Sequence, residues 1–207
     1  MSAAFVHAKW TTAAATLLGI SATVLYPGGT ARNHTTTGYT ITGNFLSDLG
    51  MTVAWNGERN HVGATLFVTS MALLVIGMGG ALAGFVRLYA LTPESRRFAY
   101  AAAVAGAVAC ACFVGVALTP ENRAMSLHVV FTLAAFRILP FVALLLTLAA
   151  RATPTTPQHA WSGWAVLTAV LFAYTVMLQG VRGPPPWRDS LRRSSLRSSS
   201  RSSWCPS

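Results

Sequence analysis

VGATLFVTSMALLVIGMGGALAGFVRL, residues 62–88, holds no ionisable side chain before Arg87. A hydrocarbon core about 30 Å thick is crossed by about 20 helical residues. Lipid offers the backbone no hydrogen-bond partner, so a stretch of this kind must be a helix. Four further runs share the pattern, at about 10–28, 97–118, 125–149 and 161–180. The expected fold is therefore all-α, a polytopic transmembrane helical bundle of five spans over residues 1–181, multi-pass in the cell (plasma) membrane.

Composition agrees. The chain is 53% hydrophobic and 10% charged, against about 25% charged in a soluble domain. A surface so poor in charge does not keep a helical bundle in water. The net charge of +10 is concentrated at one end: Arg182, Arg188, Arg192, Arg193, Arg197 and Arg201 are six of the fifteen Lys and Arg residues. That Arg/Ser/Pro-rich tail, 182–207, cannot bury a core and is expected to be disordered. Its basic residues are read as solvated, with no nucleic acid expected as a partner. Residues 1–28 have the order of a signal peptide, with Lys9 before an apolar run. The run ends in Tyr26-Pro27-Gly28-Gly29 with no Ala-x-Ala site, which favours an uncleaved first span.

Between the first two spans lies the longest loop, about 29–61, rich in Thr, Gly and Asn. Within it, Ser47 or Asp48 is placed to cap a short helix at the membrane interface, with Trp55 at a depth that suits indole. In the second span, Gly80 and Gly84 expose backbone on one face and admit a neighbouring helix. Ala90-Leu91-Thr92-Pro93-Glu94 recurs as Ala117-Leu118-Thr119-Pro120-Glu121. Both read as helix starts with Thr as N-cap, Pro in the first helical position and Glu near the positive end of the dipole. On that reading Glu121 and His128 are both helical and, seven apart, share a face.

If the spans alternate, Lys9, Arg87, Arg96, Arg97 and Arg151 lie on one side, and Arg32, Arg59 and Arg123 on the other. The excess favours a cytoplasmic N-terminus, while the six tail arginines reverse it if there are five spans. The loops after spans one and three share a side whatever the orientation. Ser47, Asp48, His61, Glu121, Ser126 and His128 are thereby gathered at or beneath one membrane face. His128, about 12 Å along its helix from Pro120, lies where ionisable groups are costly and face the bundle interior. Arg137, mid-span, is expected to point inward to carbonyls, hydroxyls or an anionic ligand. It is about 180° around a straight helix from His128, so one pocket takes both only if the helix bends. The ligand-binding candidates are thus Ser47, Asp48, His61, Glu121, His128 and Arg137.

Each has a plainer reading as a cap, an interfacial residue or a packing group. No metal or cofactor is expected: there is no His-Glu-x-x-His or Cys-x-x-Cys, and Cys110 and Cys112 point about 200° apart on a helix. Ser126 lies off the face of His128, which disfavours a serine nucleophile there.

Asn44-Phe45-Leu46-Ser47-Asp48-Leu49-Gly50, and Thr119-Pro120-Glu121 followed by His128 and Phe131, resemble the bacterial and archaeal integral membrane family grouped as domain of unknown function 998. The resemblance covers roughly residues 12–180. It implies a six-helix bundle and no particular activity. A sixth span is expected after Gly180, where the Arg/Ser/Pro tail stands instead, as a frameshifted end would produce. Three functions follow: binding or helping transport a lipid headgroup or small amphiphile, with membrane lipids as partners; an intramembrane hydrolase or transferase using His128 with Asp48; or a structural membrane protein with no ligand.

Overall fold

The computed structural model describes residues 3–180, with side chains to residue 177. The expectations for the tail 182–207 lie outside the described residues. The chain forms five long helices: α1 (Ala3–Leu25), α2 (His61–Tyr89), α3 (Pro93–Leu118), α4 (Glu121–Arg151) and α5 (Gln158–Gly180). A 3-10 turn spans Leu46–Gly50, and no strand occurs among the described residues, only isolated bridges such as Gly28 with Thr37. Two compact units are distinguished, Met1–Leu171 and Phe172–Ser207. The described part of the second is the C-terminal end of α5.

Four helices, α2 to α5, are long and apolar enough to cross a membrane. Their outward faces carry large apolar side chains, among them Ile76, Val104, Val130 and Val166. The small residues turn inward instead. Ala99, Ala102, Gly106 and Ala109 form the buried stripe of α3, and Ala135, Ala143 and Ala150 lie on that of α4. This inversion suits a hydrocarbon solvent, where close backbone approach, not apolar transfer, holds helices together.

Gly77, Gly80 and Gly84 of α2 meet α1. A Cβ at Gly77 would lie 2.7 Å from Thr12 Oγ1, and one at Gly84 would lie 2.8 Å from the Phe5 ring. Ser70 adds an interhelical bond, donating to the Ala15 carbonyl at 2.7 Å. The close approach expected of Gly80 and Gly84 is present, with α1 as the neighbour.

The repeated Ala-Leu-Thr-Pro-Glu stretches are built differently. Thr92 caps α3, accepting from the Ser95 amide at 3.1 Å, with Pro93 at the first helical position. The expected twin at Thr119 does not form. Thr119 ends α3 and Pro120 is the N-cap of α4. Ala124, at φ −141° and ψ 47°, breaks the helix after its first turn. Glu121 and His128 therefore do not share one continuous helical face.

Candidate functional site

The loop 26–60 is a built structure. Gly28 and Gly29 have φ of 140° and 81°, and a Cβ at Gly29 would strike the backbone at Trp55 and Asn56. Only glycine allows this crossing. Asn44, buried, ties the loop together. Its Nδ2 donates to the Gly29 carbonyl and to Asp48 Oδ2, both at 2.8 Å. Its Oδ1 accepts from the amide and hydroxyl of Thr40, each at 3.0 Å. Asn60 does the same at the far end, its Nδ2 donating to the Leu49 and Met51 carbonyls.

These bonds hold the 3-10 turn against the start of α4. The Ser47 hydroxyl donates to Glu121 Oε2 at 3.0 Å. Thr52 and Asn122 pair twice, amide to Oδ1 at 3.2 Å and Nδ2 to Oγ1 at 3.0 Å. Asp48 is 1% exposed. Its Oδ2 accepts from Asn44 and from the Phe45 amide at 3.1 Å. Its Oδ1 and Trp55 Nε1 are both buried and make no well-formed hydrogen bond, although the indole N–H lies near enough to the carboxyl to act on it as a donor. Burial pushes the Asp48 carboxyl above the usual carboxylate range. The nearby Asn44, Trp55 and Phe45 donors, and then the charge of His128, act in the opposite direction.

His128 is also buried, and its Nδ1 lies 2.7 Å from the Thr119 carbonyl oxygen. The break in α4 explains why that oxygen is free. The amides of Arg123 and Ala124 both turn to the Pro120 carbonyl, leaving Thr119 to be met by a side chain. A carbonyl only accepts, so Nδ1 carries the hydrogen. In the neutral ring Nε2 then presents its lone pair. Asp48, Glu121 and His128 lie within electrostatic reach of one another.

Four of the six candidate residues, Ser47, Asp48, Glu121 and His128, are thus assembled from two separate segments. Two are not. His61 opens α2 with an exposed side chain, because the inward face at the start of that helix belongs to Gly63, Ala64 and Phe67. Arg137 is exposed as well, which corrects the inward orientation expected of it. Ala135 and Pro140 occupy the buried side of α4 at that level, and His128, nine residues earlier and about 180° around the axis, takes the interior. Among the described residues Arg137 has no hydrogen bond or ion pair. Ser126 is exposed too, and Trp55 packs into the loop beside Asp48.

Sequence reasoning missed Asn44, Asn60, Asn122 and the Thr119 carbonyl. The four-residue spacing of Asn44 and Asp48 is a signal for the first; nothing local marks the others. Among the described residues no three His, Cys, Asp or Glu side chains converge as metal ligands would. Comparison with known proteins found no matching family model, no matching curated protein and no matching solved structure.

Proposed function

We propose that this chain is a plasma-membrane protein of five spans, α1 included, that binds or helps transport an amphiphile whose head group enters at the Asp48–Glu121–His128 face. Two observations support α1 as a span. It packs along the glycine stripe of α2, and its hydroxyls return to its own carbonyls, as in Thr16 to Thr12 and Ser21 to Leu17, both at 2.9 Å. Polar side chains satisfied in this way are tolerated in lipid. The resemblance to the family of unknown function 998, which implies six spans, is in keeping with α1 as the first of them.

The observation that carries the functional reading is the buried Asp48 carboxyl, whose Oδ1 makes no well-formed hydrogen bond beside the Trp55 indole, in a site with a second carboxylate and a single imidazole. Two carboxylates favour a donor that is also positively charged, and the ammonium of an ethanolamine-type head group meets both needs. The test is binding of lysophosphatidylethanolamine and lysophosphatidylglycerol to the purified protein in nanodiscs. The ammonium lipid should bind at least tenfold tighter, and Asp48→Asn with Glu121→Gln should remove the preference. Equal binding of both lipids overturns the reading.

One observation favours a second reading. The tautomer of His128 leaves Nε2 as a base, which an intramembrane hydrolase or transferase would use with Asp48. Ser47 bonds to Glu121 and not to His128, so the nucleophile would be water or a substrate hydroxyl. Under this reading His128→Ala abolishes turnover and spares binding.

A further inference from the structure

The other end of the bundle holds a feature that the polar site does not use. A partly open cavity of about 260 Å³ is lined by α2, α3, α4 and the first half of α5, including Leu82, Phe85, Cys110, Ala143, Leu146 and Trp164. Its α4 wall starts at Leu139, eleven residues beyond His128, or about 16 Å along the helix. Ala81 and Ala143 leave the space that larger side chains would fill. At the end away from the polar site stands an aromatic group. Phe85 meets Trp164 edge to face at 4.7 Å, and Trp164 Nε1 donates to the Tyr89 hydroxyl at 3.2 Å.

The walls are almost wholly carbon. The space is open on one side, and water entering it would find almost none of the two to four polar partners that it needs. A void of this size and lining, among helices apolar enough to be bathed in lipid, accommodates roughly ten carbons. Its natural occupant is hydrocarbon.

The charge at the same end specifies which hydrocarbon. Arg151 closes α4 with its guanidinium 5.6 Å over the Trp161 ring, and Arg87 lies in the last turn of α2. Arg96 and Arg97 stand exposed in the opening turns of α3. Among the described acidic residues only Glu94 belongs to this end. Arginines placed just outside a bundle attract anionic head groups.

We propose that this cavity binds one acyl chain of an anionic phospholipid, its phosphate held by Arg151 at the rim formed by α4 and α5. The site is independent of the amphiphile site at the opposite face. One lipid is bound per chain, and it fills the space between the first half of α5 and the other three helices.

The test titrates the purified full-length protein, in neutral detergent, with phosphatidylglycerol carrying dibrominated acyl chains. Bromine quenches indole on contact, and Trp164 lines the cavity. Saturable quenching at one lipid per protein is expected, lost in Trp164→Phe. Filling the cavity from either wall, by Ala143→Phe or Ala81→Phe, should weaken the saturable phase at least tenfold. Two variants are used so that misfolding of one leaves the other to decide. Phosphatidylcholine with the same chains should bind at least tenfold more weakly, and Arg151→Gln should bring phosphatidylglycerol to that level. Quenching that never saturates, or that both filled variants retain, overturns the proposal. So does equal affinity for the two lipids, which marks a hydrocarbon site blind to charge. A shift from dimer to monomer in the filled variants, with quenching unchanged, assigns the cavity to a second copy of the chain and overturns it too.

Discussion

Ser47 and Glu121, 74 positions apart in the chain, are joined by a 3.0 Å hydrogen bond from hydroxyl to carboxylate. With the Thr52–Asn122 pair beside it, this bond docks the loop between α1 and α2 onto the start of α4. A neutral donor to a carboxylate contributes more than an ordinary hydrogen bond, about 1.5–3 kcal/mol when well formed.

Removing it should therefore be measurable. Ser47→Ala is expected to cost about 1–2 kcal/mol, and Glu121→Gln less, since a glutamine oxygen can still accept. A double-mutant cycle on thermal unfolding in detergent should give a coupling of about 0.5–1.5 kcal/mol. Additive effects would show that the two side chains do not stabilise each other.

Asp48 should make stability depend on pH. Its carboxyl holds a proton more tightly folded than unfolded. Its contribution is therefore fully present below about pH 4, the ordinary aspartate value. It is lost as pH rises through the elevated folded value. Asp48→Asn stays neutral and should flatten that part of the melting profile. If wild type instead gains stability relative to the variant as pH rises from 4 to 7, the donors around Asp48 outweigh its burial.

The glycines of α2 should divide sharply. Gly84→Val places carbon against the Phe5 ring and should cost about 1–3 kcal/mol through overpacking, loosening α1. Nothing lies within 4 Å of a Cβ at Gly79, so Gly79→Ala should be neutral or stabilising by about 0.5–1 kcal/mol through helix propensity. Melting temperatures and cysteine cross-linking between α1 and α2 report both.

Arg137→Leu should improve membrane insertion of α4, by about 2.5–3.5 kcal/mol on insertion scales, and leave head-group binding unchanged. The observation that matters is the glycosylation-scored insertion of α4 in microsomes. A loss of ligand binding in this variant would place Arg137 in the site after all.

Helices α2 to α5 were legible because each is a long apolar run, of a length that a bilayer's thickness requires. Boundaries were less so: α1 starts at Ala3 and not near residue 10, since His7 and Lys9 interrupt hydropathy without interrupting helix. Ser47, Asp48, Glu121 and His128 were legible as a group from topology alone, because two crossings return the chain to the same side. The failures have physical causes. Arg137 was read from cost, which says that a charge at depth is expensive but not which way it points. The Thr119 start was read from a motif whose first copy is a true cap, and the local sequence does not encode that Pro120 and Ala124 reroute the amides. Asn60 was silent because its partners, Leu49 and Met51, offer backbone oxygens that any sequence would supply.

The rerouting at Ala124 has a mechanical result. The turn 121–124 belongs with the loop it is bonded to, while the long shaft of α4 begins beyond it. If a thinner or thicker bilayer forces that shaft to lean, Ala124 is where the bend is expected, because the helix is already interrupted there. The contact from His128 to the Thr119 oxygen crosses that bend and is the one expected to loosen, while the bond from Ser47 to Glu121 lies before it.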